Sequence, residues 1–276
     1  MPDKFFRSVL PGELREPPKI DTSVAHIARV YDFWLGGKDN FAIDREVGQK
    51  ALQAHPETVV SVQANRRFLA RSVRHLAAAE GIRQFLDVGT GLPSANNTHE
   101  VAQAAAPEAR VVYVDNDPIV LAHARALLTS SPEGETAYLD ADIKDTGEIL
   151  AGAAQVLDFT KPVGVMLLAV LHMLRDEEDP QDVVDRLMAA VPAGSFLVIS
   201  HLASDVQQDT MAEMGRRLNE SMTQQFTMRT RAAVTSFFDG LTLVDPGVVL
   251  THEWRSDSPD DAKAPGVLWA GVARKD

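Results

Sequence analysis

From Gly81 onward, apolar runs alternate with amphipathic segments, and this alternation limits the possible folds more than any other feature of the sequence. Continuous apolar strands separated by helices are typical of a parallel sheet covered on both faces. The helices between the runs are predicted to begin near Asn97, Pro118, Asp145 and Pro180. The five runs predicted to be strands are QFLDVG, ARVVYVDND, TAYLDADI, VGVMLLAVLHM and SFLVISHL.

The last two apolar runs, TLVDPGVVLTHEW and GVLWAGVARK, are joined only by a polar loop. Parallel strands need a crossover connection, so these two runs are predicted to pair antiparallel. The sequence therefore predicts an α/β fold with a seven-stranded, mostly parallel sheet and an antiparallel last strand. This order resembles the Rossmann-like fold of the class I S-adenosylmethionine-dependent methyltransferases, in which a reversed strand lies beside the fifth strand. A dinucleotide-binding fold instead builds two matching parallel halves.

Three regions are predicted along the chain. Residues 1–20 contain several prolines and mixed charge, and are interpreted as a mobile arm. Residues 21–80 follow a helical period and are expected to form a cap or lid. Asp21 or Thr22 is the expected N-cap of its first helix. Residues 81–276 are expected to form the core that binds the cofactor.

The charge balance bears on the choice of partner. The chain has 27 Lys and Arg against 39 Asp and Glu, a formal net charge of −12. Such a surface repels phosphate backbones, so nucleic acid is not an expected partner. The absence of cysteine excludes disulfides and is compatible with a cytoplasmic location. No apolar run is long enough to span a bilayer, and no metal-ligand spacing is found, so neither a membrane nor a metal is expected.

The loop GTGLPS, residues 89–94, has only the first two glycines of the dinucleotide-binding pattern G-x-G-x-x-G. Ser94 stands at the third position, which disfavours close approach of a pyrophosphate, and no Gly-Lys-Ser/Thr follows to make a nucleoside triphosphate loop. Asp87 ends the preceding strand and Asp115 ends the next one. A carboxylate that accepts both ribose hydroxyls suits NAD or S-adenosylmethionine, and Asn116 and Asp117 could instead simply cap the helix at Pro118.

Several longer segments of the chain resemble one protein family. The blocks YDFWLGGKDNF and FLDVGTGLP, with NTHEVAQ, ARVVYVDNDPIVLAHARALL and AVLHMLRD, resemble the actinobacterial S-adenosyl methyltransferase family over nearly the whole chain. The resemblance implies S-adenosyl-L-methionine as cofactor. It also implies that Asp142 accepts a hydrogen bond from the adenine amino group, with Ile143 against the ring. The candidate cofactor-binding residues are Asp87, Gly89, Thr90, Gly91, Asp115, Asn116, Asp142, Ile143, Tyr31, Asn65 and Arg66.

Candidate catalytic residues follow from the edge of the sheet where ligands bind in α/β folds. His172 follows the fourth strand, where an imidazole could act as general base or bind substrate. The alternative is a histidine that makes only a packing hydrogen bond. His201 and Asp205 follow the fifth strand and are weaker candidates for the same role.

Two further groups of charged residues have ordinary structural interpretations. Arg67, Arg71 and Arg74 fall at helical spacing and are interpreted as a solvated basic face, with a site for an acidic substrate as the alternative. The DEED run, residues 176–179, is interpreted as a solvated turn that caps the next helix.

The block YDFWLGGKDN, residues 31–40, combines large aromatics with two adjacent glycines and polar side chains. It is expected to lie over the mouth of the cofactor site as a lid and to form part of the acceptor pocket, with the glycines as its hinge. The competing expectation is an ordinary helix end packed against the outer helices.

The function predicted from these features is methyl transfer from S-adenosylmethionine to a small-molecule acceptor. A binding protein without catalysis, acting as a sensor, stays open because the cofactor site is better marked than any acceptor site. An NAD-dependent oxidoreductase is disfavoured by Ser94 and the terminal pair of strands. A nucleic-acid methyltransferase is disfavoured because AVLHML stands where such enzymes have an Asn/Asp-Pro-Pro-aromatic motif.

Overall fold

A computed structural model describes residues 7–8, 21–127, 130–263 and 265–276 of the chain. The predicted arm, residues 1–20, lies outside the described residues except for Arg7–Ser8, which form a short strand. The strands in the described part of the chain are β1 Arg7–Ser8, β2 Gln84–Val88, β3 Arg110–Asp115, β4 Glu135–Asp140, β5 Gly164–Leu168, β6 Phe196–Leu202, β7 Thr242–Leu243, β8 Val249–Leu250 and β9 Leu268–Arg274.

The strands form one sheet in the order β1-β4-β3-β2-β5-β6-β9-β7, with β8 also paired to β9. Strands β1 to β6 pair parallel. Strand β9 lies antiparallel to β6 and to the short strands β7 and β8, which confirms the predicted reversal. The order reverses between β2 and β5, and in open parallel sheets such a switch point is where ligands bind.

The described residues contain more strands than the seven predicted, for two local reasons. The run TLVDPGVVLTHEW was expected to be one strand, but Pro246 and Gly247 divide it into β7 and β8. Proline cannot donate to a strand ladder, and Gly247 has φ +85°, outside the extended region. Strand β1 adds a further two-residue pairing at the outer edge of β4.

The helices of the described residues are α1 Ile27–Trp34, α2 Ala42–Ala54, α3 Thr58–Ala78, α4 Thr98–Ala105, α5 Pro118–Leu127, α6 Thr146–Ala153, α7 Pro180–Ala189, α8 Gln208–Ser221 and α9 Arg231–Ser236. Those between the parallel strands begin where their capping residues predict. Asn97 precedes α4, and its backbone N–H donates to Glu100 to close a capping box. None of the helices in the described part of the chain has the length and apolar character needed to cross a bilayer.

The first helix begins later than predicted. Asp21 and Thr22 are exposed and non-helical, and His26 is the N-cap of α1. The backbone N–H of His26 donates to Asp44 of α2, and its Nδ1 lies 2.8 Å from Asp117 in the loop after β3. Contacts with distant segments therefore set where α1 begins, and they attach it to the sheet.

Apolar clusters cover both faces of the sheet. One face packs against α6, α7 and α9, and the other packs against α3, α4 and α5. All five residues of β2 are buried, as expected for a strand covered on both sides. A third cluster joins α1, α2 and α8. This last cluster places α1 over the carboxyl ends of the parallel strands.

Candidate functional site

A cavity of about 500 Å³ lies at the carboxyl ends of β2, β3, β4 and β5, beneath α1. This volume is in the range of ligand pockets. Its lining combines strand ends with residues of α1, α3 and the segment 223–225. The lining includes every residue that the sequence predicted to bind the cofactor: Tyr31, Asn65, Arg66, Asp87, Gly89, Thr90, Gly91, Asp115, Asn116, Asp142 and Ile143.

The glycine turn needs both of its glycines, for different reasons. Gly89 has φ +73°, and a Cβ atom there would lie 2.3 Å from Val170 Cγ2. Gly91 has φ +68°, but the direction of its missing Cβ is open. Glycine adopts these angles without the penalty that other residues incur. Gly89 therefore lets the turn pack against the loop after β5, whereas Gly91 presents bare backbone to the cavity.

Asp87 is a buried acid at the start of this turn. Its Oδ2 accepts a hydrogen bond of 2.6 Å from Thr98 Oγ1, at the first residue of α4. Burial raises the pKa of the Asp87 carboxyl to about 6, against the lowering effects of Thr98 and Arg66. Desolvation disfavours the ionised form, and a cation beside this carboxyl would favour it.

Asp115 connects the glycine turn to the end of β3. Its Oδ2 accepts from the backbone N–H of Gly91 at 2.8 Å, and its Oδ1 accepts from the N–H of Asp117 at 2.9 Å. Burial raises the pKa of Asp115. Each carboxylate oxygen can accept more than one hydrogen bond, so capacity for a ligand hydroxyl pair remains at this position.

The ends of β3 and β4 meet at the next part of the cavity wall. Asn116 is exposed, and its Nδ2 donates to Asp142 Oδ2 at 3.3 Å. The other carboxylate oxygen of Asp142 accepts from the N–H of Lys144. Ile143 is half-buried against the apolar core. A carboxylate beside a branched apolar side chain is an arrangement that can bind the edge and the face of a heterocyclic base.

Helices α1 and α3 supply the opposite wall. Asn65 is buried and donates from Nδ2 to the hydroxyl of Tyr31, which in turn donates to the carbonyl of Val62. The Asn65 Oδ1 atom is buried and has no hydrogen-bond partner. Arg66 donates to the carbonyls of Ala95 and Asn96, and so fixes the loop after the glycine turn. The unpartnered amide oxygen is a ready acceptor for a ligand ammonium group.

The block expected to act as a lid reaches the cavity with its helical half. Tyr31, Asp32 and Leu35 line the cavity, whereas residues 36–40 are not part of its lining. The Asp32 carboxylate accepts from the N–H of Asp39 and from Asn40 Nδ2, at 2.9 and 2.7 Å. These bonds hold the glycine turn in one shape, so the structure gives no sign that Gly36 and Gly37 form an open hinge.

The histidines predicted as catalytic candidates lie behind this cavity. His172 is 4% exposed and is not among the residues that line the large cavity. His201 is fully buried, and its Nε2 lies 2.9 Å from an Arg229 nitrogen. Burial lowers the pKa of His201 to about 3 and that of His172 well below its usual value. A role for His172 as general base stays a prediction that this placement does not favour.

Asp205 also has a structural environment. Its two carboxylate oxygens accept from the N–H of Arg231 and from Trp269 Nε1, at 2.9 and 2.7 Å. It does not line the large cavity. Strand β6 therefore contributes none of its predicted residues to this site.

The structure also brings in residues that sequence reasoning missed. His26, Gln224 and the stretch Leu168–Val170 line the cavity. Gln224 Oε1 lies 3.4 Å from the N–H of Ile27, which links the segment after α8 to α1. Ala169 has φ +53° directly after β5, and alanine is uncommon in that region. The position of Ala169 directly after a central parallel strand could have identified it from the sequence. Nothing in the sequence around Gln224 indicated a place in the site.

A parallel sheet with an inserted antiparallel strand, and acids at three neighbouring strand ends around one cavity, defines the class I methyltransferase fold. The chain belongs to the S-adenosyl methyltransferase family, whose model matches residues 13–276. The protein is therefore an S-adenosylmethionine-dependent methyltransferase, with S-adenosyl-L-methionine as its cofactor. No curated protein matches the chain significantly.

Two similar solved structures come from bacteria. A DUF574 family protein from Streptomyces avermitilis is 42% identical, with a TM-score of 0.90 over 94% of this chain and 100% of that chain. A candidate methyltransferase from Thermobifida fusca is 40% identical, with a TM-score of 0.87 over 95% of this chain and 99% of that chain. The plantazolicin methyltransferase, in complex with a monoazolic desmethyl-plantazolicin analogue and S-adenosylhomocysteine, is 11% identical, with a TM-score of 0.53 over 90% of this chain and 95% of that one. This last likeness shows the shared fold.

Proposed function

We propose that the methyl acceptor is a small molecule that binds beneath α1, beside the cofactor. The observation that carries this proposal is the composition of the cavity wall. Tyr31 and Leu35 of α1 line the same space as the glycine turn, and Gln224 joins α1 to the segment after α8. A site covered in this way suits a compact acceptor better than an extended polymer. The formal net charge of −12 also disfavours a nucleic acid.

The residues of the cavity fit the cofactor by their chemistry. Asp115 is proposed to accept the ribose hydroxyls, and Asp142 with Ile143 to bind the adenine ring. Asn65, with its unpartnered oxygen, and the buried Asp87 are proposed to face the cationic amino-acid end. The remaining proposed contacts are made by Gly89, Thr90, Gly91, Asn116, Tyr31 and Arg66. When bound, the cofactor supplies an electrophilic methyl group.

The contribution of the chain to methyl transfer is proposed to be positioning and the exclusion of water. Displacement at a methyl carbon needs the attacking atom held in line and close, which a covered cavity achieves. Helix α1, within the proposed cap of residues 21–80, is the part that covers the core of residues 81–276. His26 attaches it to Asp117, two residues beyond the ribose-binding candidate Asp115. Cofactor binding and closure of α1 are thus proposed to be coupled.

Calorimetry with S-adenosylmethionine, S-adenosylhomocysteine and NAD is the first test. We expect binding of both adenosyl compounds and none of NAD. Turnover is then measured on a panel of small hydroxyl- and amine-containing metabolites, with a nucleic-acid substrate as a matched control. Methylation of nucleic acid alone would overturn the small-molecule proposal, and cofactor binding without any turnover would favour a sensor.

A further inference from the structure

A second, smaller cavity adjoins the cofactor cavity. It has a volume of about 40 Å³ and lies between α1, α3, α8 and the start of β9. Ile27, Tyr31 and Ala169 line both cavities. These residues therefore form the boundary between the two spaces, and one of them is the strained residue directly after β5.

The wall of this side cavity is almost wholly apolar. Met214 and Leu218 of α8 and Phe226 form much of it. Four side chains of the wall that can donate hydrogen bonds already donate to backbone carbonyls. These bonds run from Tyr31 to Val62, Trp34 to Gly48, Thr58 to His55 and Ser61 to Glu57. An occupant finds little here to hydrogen-bond with, so the cavity favours apolar atoms.

His172 is the exception in this wall. Its Nδ1 is buried without a hydrogen-bond partner, and its ring stacks on Phe226 with centroids 5.8 Å apart. Burial, together with His201 and Arg229, keeps the pKa of His172 low, so its imidazole is neutral. A neutral imidazole nitrogen either donates or accepts, and a hydroxyl group can match either state.

Water is a poor occupant of the side cavity. A buried water needs two to four polar partners, and among the side chains that line this space only His172 offers a free nitrogen or oxygen. The volume of about 40 Å³ exceeds the roughly 10–15 Å³ that a single water needs, so the space can hold a short chain of atoms. A short alkyl group that ends in a hydroxyl fits both the size and the single polar contact.

We propose that the side cavity is the inner end of the acceptor site, and that it binds a short apolar arm of the methyl acceptor whose hydroxyl group contacts the imidazole of His172. This inference rests on the proposed small-molecule function, because the arm enters from the cofactor cavity past Ala169. The methyl-receiving atom stays in the large cavity, outside the reach of His172. His172 thereby selects the acceptor and does not act as general base.

The test uses butan-1-ol as the probe of the side cavity. The whole protein, labelled with ¹³C-methyl methionine and saturated with S-adenosylhomocysteine, is titrated with butan-1-ol and followed by NMR. Met214 lines the side cavity and Met173 lines the large one, so the two methyl signals report on each space separately. We expect a saturable shift at Met214 with no shift at Met173.

Two variants and one control make the assignment specific. Leu218→Phe fills the side cavity and His172→Phe removes its one polar contact, and each is expected to weaken butan-1-ol binding at least tenfold. Met211→Leu is the matched control, because Met211 is equally buried on α8 but does not line the cavity. Its affinity for butan-1-ol should equal that of the wild type. Calorimetry with S-adenosylhomocysteine verifies that each variant is folded.

The outcomes separate this inference from the function on which it rests. Failure of the wild-type protein to bind S-adenosylhomocysteine overturns the proposed cofactor site. Normal cofactor binding with a shift at Met173 alone, or with equal butan-1-ol affinity in Leu218→Phe, overturns the side-cavity proposal and leaves the function standing. If a variant does not fold, the wild-type titration at Met214 still decides.

Discussion

Two groups of polar residues lie at the same edge of the sheet, and they differ in what covers them. At the ends of β2 and β3, Asp87 and Asp115 line the large cavity beneath α1. Behind the ends of β5 and β6, His201 and Arg229 are buried, and Arg229 is bonded to Asp176 and to the carbonyls of Leu171 and Leu174. A polar residue at a strand end is therefore available to a ligand only where the covering segment leaves its atoms free.

The largest expected effect is a loss of stability, and it is expected in the buried group of His201 and Arg229. Arg229→Ala removes the donor to the buried Leu174 carbonyl and to His201 Nε2, and should lower the free energy of unfolding by about 2–6 kcal/mol, at roughly 1–3 kcal/mol for each group left unsatisfied. The affinity for S-adenosylhomocysteine should stay within twofold of wild type. Urea denaturation and calorimetry measure the two quantities. A loss of cofactor affinity larger than tenfold in folded protein would contradict the division between the two groups.

At Asp115, the expected effect is on the affinity for the cofactor. Asp115→Ala should weaken binding of S-adenosylmethionine by about 1.5–3 kcal/mol, the range for a hydrogen bond to a charged group. Asp205→Ala is the matched control, because Asp205 is also a strand-end acid but does not line the cavity. Calorimetry should find unchanged affinity in the control. Equal affinities in both variants would remove Asp115 from the cofactor site.

The pKa of the Asp87 carboxyl predicts how the affinity for the cofactor depends on pH. Its carboxyl has a pKa of about 6, so it is neutral at pH 5 and ionised at pH 7. A cationic ligand prefers the carboxylate, so affinity for S-adenosylmethionine should rise by up to about tenfold between these pH values. Calorimetry across this range, repeated with Asp87→Asn, measures the effect. A profile of the same slope in the variant would assign the titration to another group.

The smallest expected effect separates two glycines of similar conformation. Gly91 has φ +68° and Gly81 has φ +72°, and the direction of the missing Cβ is open at both. Alanine at either position should cost about 1–2 kcal/mol of stability through the left-handed backbone. Only Gly91→Ala projects a methyl group into the cavity, so only it should also weaken S-adenosylhomocysteine binding. Loss of affinity in Gly81→Ala would show that backbone strain alone explains the effect.

The sequence predicted the parallel core and the cofactor edge because both depend on short-range patterns. The apolar period gives the strands, and capping residues such as Asn97 and Asp179 give the starts of the helices. Parallel strands bring their carboxyl ends to one edge, so successive strand-end acids had to lie near one another. The glycine turn needs a positive φ at Gly89 and Gly91, which local sequence also indicates.

Residues whose surroundings come from distant parts of the chain were not predictable in this way. Arg71 was interpreted as part of a solvated face, but it is buried and donates to the carbonyls of Thr251 and Trp254. Asp176, interpreted as part of a solvated turn, is 77% exposed as expected, but its pairing with buried Arg229 was not predicted, and both contacts join segments far apart in sequence. Periodicity shows which side of a helix a residue occupies, but not which loop packs there.

The same limit applies to the acceptor side of the site. Tyr31 and His172 were both singled out from sequence, but only the packing of α1 and α8 decided that Tyr31 lines both cavities and His172 the smaller one alone. The sequence by itself thus determined the class of fold, the cofactor and the strand ends that line the large cavity. The tertiary structure decided which polar atoms stay unpaired, because that depends on side chains brought together from separate elements.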